Sequence, residues 1–120
     1  MQTLFTVSLI VEIIFAIGFV AIPATLLGTF GVSPDAFGIA LSRLFGSALL
    51  GFCTLLWYAR SSRSAEMHKY TIRTMFIYNF GATIFLFLAM MGGIMNSMGW
   101  GAMIMHLGFT IWFGVYAFRR

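Results

Sequence analysis

Two charged side chains of this 120-residue chain, Glu12 and Arg43, lie deep inside apolar runs. A charge at the middle of a membrane-spanning helix costs roughly 2.5–3.5 kcal/mol on insertion scales, so each needs a reason to be there. Asn79 falls at a depth close to that of Glu12 and is the natural hydrogen-bond partner for the carboxylate, with Tyr78 nearby. Together these groups form a set able to exchange a proton or hold a cation. Arg43 lies toward the opposite end of its own segment, and pairing with Glu12 requires two long side chains to bridge several ångströms along the membrane normal. The structural alternative is a polar clamp that keeps helices in register, with Arg43 reaching out to the headgroups.

His106 is the other residue with chemistry to offer. A neutral imidazole nitrogen suits a haem iron or the magnesium of a (bacterio)chlorophyll. Ala102 stands four residues before it, Gly99 about one turn beyond that and Gly108 close by, which leaves room for a planar macrocycle. On those residues the segment resembles the ligand helix of bacterial light-harvesting polypeptides. The resemblance implies pigment ligation by His106, whereas the structural alternative is an imidazole hydrogen-bonded inside a bundle. Met90, Met91, Met95, Met98, Met103 and Met105 cluster in the same region. Thioethers favour Cu(I), although Met also serves as a flexible filler of apolar gaps.

Many activities find no residues to carry them. Cys53 is alone, so no disulfide, Cys-x-x-Cys pair or zinc site is expected. There is no phosphate-binding glycine loop with its lysine, no Gly-x-Ser-x-Gly elbow and no His-Glu-x-x-His pair. The three acidic residues, Glu12, Asp35 and Glu66, are too few for a carboxylate-rich metal centre. The basic loop is too short to read nucleic acid, and its charge suits anionic headgroups. The sequence therefore predicts a protein that is not an enzyme and has no nucleic-acid partner.

The segments that must position these residues follow from composition. Hydrophobic residues make up 61% of the chain and charged residues 8%, more apolar surface than a globule of this size can hide from water. Four apolar stretches, roughly 3–30, 36–59, 70–95 and 98–118, each exceed the ~20 residues that cross ~30 Å of hydrocarbon as a helix. The first reads as a span and not a removable leader, since it has no basic start and its apolar run outlasts the usual ~7–15 residues. Pro23 should bend it. Gly31 to Asp35 forms a turn in which Ser33 or Asp35 can cap the next helix, and Asn96-Ser97 forms a tighter one.

Six of the seven basic residues (Arg60, Arg63, Lys69, Arg73, Arg119 and Arg120) fall on one side of this arrangement. The positive-inside rule makes that side cytoplasmic and returns the N-terminus to it as well. Trp57, Tyr58, Tyr70, Trp112 and Tyr116 then mark the inner interface, and Trp100 the outer one. The expected architecture is all-α, a single integral membrane bundle of four transmembrane helices with both termini cytoplasmic, multi-pass in a bacterial inner membrane.

Helices in lipid associate by close packing, so small residues mark their contacts. Gly38, Ser42 and Gly46 recur at four-residue intervals, with Ser47 and Gly51 beside them, and Ala24, Gly28, Gly101, Ala102, Gly108 and Gly114 mark other faces. Small multidrug transporters also carry an early first-helix glutamate, but they pair it with aromatic residues including tryptophan in the later spans. Here the third span has no Trp, and the one-sided basic residues oppose dual insertion. Phe30-Gly31-Val32, Ala40-Leu41-Ser42-Arg43-Leu44-Phe45-Gly46 and Trp57-Tyr58-Ala59-Arg60 resemble the first half of small bacterial four-helix inner-membrane proteins of no assigned activity. That resemblance implies a bundle fold. The expected role is an accessory or scaffold subunit of a larger membrane complex, in contact with lipids and other membrane subunits and beside pigment or quinone. The alternatives are a proton-coupled or ion carrier using Glu12, Asn79 and Arg43, and pigment or haem binding through His106.

Overall fold

A computed structural model describes residues 1–119; Arg120, counted above with the basic cluster, lies outside the described residues. The described chain is α-helical, in five helices: α1 (Gln2–Ala21), α2 (Pro23–Thr29), α3 (Ala36–Ser61), α4 (Ala65–Met91) and α5 (Met98–Ala117). All but α2 are long and apolar enough to cross a membrane. The chain divides into two compact units, residues 1–60 and residues 61 onward.

In the first unit, the apolar run expected as one bent helix is two helices. Ile22 leaves the helical region (φ −135°, ψ 51°), and Pro23 becomes the first residue of α2. Proline suits that position because its missing N–H is one that a helix start leaves unpaired anyway. Leu26 of α2 folds back over Gly18 of α1, where an added Cβ would stand 3.0 Å from the leucine Cδ2. α2 ends on Gly31, whose φ of 75° permits bonds from Val32 N–H to Leu27 O and from Gly31 N–H to Gly28 O, both 3.0 Å. This left-handed cap satisfies carbonyls that the helix end would otherwise strand. Asp35, one of the two expected caps, begins α3 by accepting a 2.7 Å bond from Gly38 N–H.

α1 and α3 run antiparallel. The Phe19 and Phe45 rings meet edge to face with centroids 5.1 Å apart, and Gly46 stands directly against Ala16, Phe19 and Val20. Leu49, Cys53, Leu56 and Ala59 continue the buried side of α3 from that point.

The second unit is a helical hairpin of α4 and α5. Ser64 caps α4 by accepting from Met67 N–H at 3.3 Å, with Glu66 in the first turn, where a negative charge favours the helix dipole. α4 therefore starts five residues before the apolar run predicts, because its first turns are polar but well capped. It also stops earlier, at Met91, since Gly93 (φ 69°) closes the same kind of cap through Ile94 N–H to Ala89 O (3.0 Å) and Gly93 N–H to Met90 O (3.1 Å). The turn thus runs through Gly92–Ser97, and Asn96 Oδ1 accepts from Met98 N–H as α5 begins.

Candidate functional site

The second unit contains a connected polar cluster built from the middle turns of α4 and α5. Asn79 is fully buried, and its Nδ2 donates to the Met75 carbonyl one turn back at 2.8 Å. A carbonyl only accepts, so the atom facing it must be the amide nitrogen, and Oδ1 is left to face α5. There it meets His106 Nδ1 at 2.8 Å. With Asn79 presenting an acceptor, Nδ1 must carry the proton and donate it, which leaves the lone pair of a neutral imidazole on Nε2. The Tyr78 ring and the imidazole meet at right angles, with centroids 5.6 Å apart and planes at 87°.

One turn along each helix the pattern repeats with hydroxyls. Thr110 Oγ1 lies 2.8 Å from the His106 carbonyl, Thr83 Oγ1 2.8 Å from the Asn79 carbonyl and the two hydroxyl oxygens 3.3 Å apart, so the bond across forms when one threonine gives its single proton to the other instead of to its own helix. Because one turn forward on α4 is one turn back on α5, the four side chains interleave across the same pair of turns. Farther along, Phe76 packs on the C-terminal end of α5, its ring 5.4 Å from that of Phe118 and 3.2 Å from where a Cβ on Gly114 would stand. At the other end Gly99 is buried beneath Met90, whose Sδ a Cβ at Gly99 would strike, and Met95.

The polar groups of the first unit are arranged differently. Glu12 is buried, 3% exposed, near the middle of α1, on the side where Cys53 of α3 lies within its electrostatic reach. Ser8, one turn before it, has a buried Oγ without a hydrogen-bond partner. Other helical hydroxyls, those of Thr29, Ser42, Ser47, Thr54, Thr83 and Thr110, bond back to the carbonyl four residues earlier. Arg43 is exposed on α3. With Gly46 opposite Ala16–Val20, Glu12 and Arg43 fall on opposite sides of that crossing, about 14 Å apart along the axes at helical rise. That separation exceeds the span expected for a direct pair.

Of the small residues singled out in the sequence, Gly46 is a close-approach point. A Cβ there would lie 2.8 Å from Val20 Cγ2, 2.9 Å from Phe19 Cβ and 3.0 Å from the Ala16 carbonyl. Ser42 is buried one turn away, whereas Gly38 belongs to the Asp35 cap. Ala102 is half-buried one turn before His106. Gly28, Gly51, Gly81, Gly101 and Gly108 face open space. The partnership of Asn79 with His106 escapes sequence reading, which matched Asn79 to Glu12 by depth. The Asn79-x-x-x-Thr83 and His106-x-x-x-Thr110 pairs, each polar at one-turn spacing on consecutive helices, are the signal that finds it.

The residues that could hold a cofactor are correspondingly few: His106 offers one ligand nitrogen, and no group of three His, Cys, Asp or Glu side chains converges among the described residues. No protein-family model matches the chain, and no curated protein or solved structure resembles it significantly.

Proposed function

We propose that this chain is a non-catalytic, multi-pass subunit of the bacterial inner membrane, acting as an accessory or scaffold element by packing against other membrane subunits and lipid. The observation that carries this reading is that the α4–α5 polar groups bond to one another. Asn79, Thr83, Thr110 and the Nδ1 side of His106 hold two helices in register. Their surroundings are apolar: Ile77, Phe80, Phe85, Leu88, Ile104 and Ile111 are exposed on the same helices, a surface suited to acyl chains or neighbouring helices. Glycines in open space on α3, α4 and α5 allow a neighbouring backbone to come close.

The proposed orientation has both termini and the Arg60–Arg73 loop in the cytoplasm. Arg60 stacks over the Trp57 ring at 4.3 Å and Arg119 over Tyr116 at 5.6 Å, cation–aromatic pairs suited to an interface. The resemblance of the first half to small four-helix inner-membrane proteins belongs to the same proposal.

The test is purification in mild detergent from native membranes followed by native mass analysis. Co-migration with larger membrane proteins is the expected result, and an isolated chain or simple homo-oligomer would overturn the subunit assignment. A second reading, a proton-coupled or ion carrier, draws on buried Glu12 with the unsatisfied Ser8 hydroxyl one turn away. Under that reading Glu12→Gln abolishes flux in proteoliposomes, whereas the subunit reading predicts no Glu12-dependent flux.

A further inference from the structure

We infer that the exposed side of the α4–α5 hairpin binds an anionic phospholipid, its phosphate held by Lys69 and Arg73 and an acyl chain laid along α4 below them. Lys69, Arg73, Ile77, Phe80 and Ile84 follow one another at steps of three or four residues, so they share one face of α4. All five are exposed, whereas Ile72, Met75 and Asn79 of the same helix are buried. Polarity changes once along this stripe, from cationic in the opening turns to apolar from Ile77 onward. A molecule with an anionic head and a hydrocarbon tail has the matching order.

The charged end is free to take such a head. Lys69 and Arg73 stand one turn apart and form no hydrogen bond or ion pair with another described residue. Arg119 brings a third positive charge to the same end, because it follows Phe118, whose ring meets that of Phe76 one turn along from Arg73. Its guanidinium lies over the Tyr116 ring at 5.6 Å. Glu66, three residues before Lys69, is the one carboxylate of α4, and the cations outnumber it. Tyr70, exposed beside Lys69, belongs to the level at which aromatic side chains meet headgroups.

The apolar end is wider than one helix. Phe76 stacks on Phe80 with centroids 5.9 Å apart and planes at 14°, meets the exposed Phe118 edge to face, and rests against Gly114, where α5 has no side chain to hold it off. These rings extend the α4 stripe toward α5 and enlarge the surface open to a methylene chain. Length agrees as well. From Arg73 to Ile84 the helix rises about 16 Å, close to half of a ~30 Å hydrocarbon layer and so to the reach of one leaflet's acyl chain.

The site requires only that the hairpin cross a bilayer, so it stands or falls apart from the subunit reading: lipid is counted on the purified chain, partners in native membranes. The experiment is native mass analysis of the purified full chain titrated with phosphatidylglycerol or phosphatidylcholine of the same acyl chains. Phosphatidylglycerol is expected to bind about 10-fold more tightly or better. Lys69→Gln and Arg73→Gln should each weaken it about 5-fold and the pair about 25-fold, the usual worth of basic side chains toward anionic lipid, with helicity by circular dichroism unchanged. Arg63→Gln, in the loop before α4, should bind within about 2-fold of wild type, and glycerophosphoglycerol, the headgroup without its chains, should not compete. Equal binding of the two lipids, or Arg63→Gln as damaging as Arg73→Gln, would overturn the site in favour of diffuse charge. Competition by the bare headgroup would overturn the acyl contact. A photo-cross-linker at position 77 that captures protein instead of phospholipid in native membranes would overturn the proposal in favour of a partner helix.

Discussion

The two halves of this chain hold antiparallel helices together by different means. In the first, α1 and α3 meet where Gly46 lets their backbones approach, and the contact is made by Ala16, Phe19 and Val20. In the second, α4 and α5 are joined at mid-helix by Asn79–His106 and Thr83–Thr110, and ring contacts follow toward both ends. Lipid chains are as apolar as leucine, so apolar side chains alone give helices little reason to choose one neighbour over another. Shape supplies the choice in one half and polarity in the other. Shape tolerates no added volume, whereas polarity tolerates volume and fails when one partner is removed.

The largest effect should come from adding bulk at the steric contact. Gly46→Leu is expected to cost about 3 kcal/mol, because the first added carbon already collides with Phe19 and Val20 and the Ala16 carbonyl cannot withdraw. Unfolding in mixed micelles would measure it, and a stable Gly46→Leu protein would mean that α1 and α3 are not held by close approach. Next in size is the polar tie. His106→Leu should cost about 1–3 kcal/mol by leaving the buried Asn79 oxygen without its donor. A double-mutant cycle of His106→Leu with Asn79→Leu should return a coupling of about 1 kcal/mol, and zero coupling would dissolve the contrast between the halves. Thr83→Val, which preserves shape and removes one hydroxyl, should cost about 0.5 kcal/mol by the same unfolding assay. Smallest of all is Gly108→Ala, expected within about 0.5 kcal/mol of wild type because nothing stands near its Cβ position. A large loss on that change in native membranes, absent from the purified chain, would locate a partner helix at that face.

The helical class and the four long apolar segments were legible because length and hydrophobicity alone specify them. Boundaries were legible only where local chemistry was read in full. Pro23 was expected to bend a helix, yet following Ile22 it starts a new one, since its ring is compatible with a first turn and costly in an interior one. Polarity alone points to Asn96-Ser97 as the turn, although Gly92-Gly93, with a glycine able to adopt positive φ, is the stronger stop. The candidate residues were all visible as polar groups in apolar runs, but their pairing was not. Depth matched Asn79 with Glu12, while the azimuth around α4, which depth does not encode, directs Asn79 to His106. Gly46 was found by its spacing, and Gly38, equally well spaced, serves its own helix start because Asp35 sits three residues before it.

The unequal lengths of the helices carry a consequence of their own. α1 and α5 have 20 residues each, about 30 Å and thus a close match to a typical hydrocarbon layer, whereas α3 and α4 have 26 and 27, about 40 Å. The surplus falls at one end: Arg60 in the last turn of α3, and Glu66, Lys69 and Arg73 in the opening turns of α4. Those turns are built to stand in the headgroup layer. A thicker bilayer can therefore draw the long helices further in only by dehydrating these charges, while the short helices, with no such reserve, would have to stretch the lipid around them. The short helices are by this measure matched to a layer of typical thickness and the long ones anchored by charge, and bilayer thickness becomes a variable that acts on the fold.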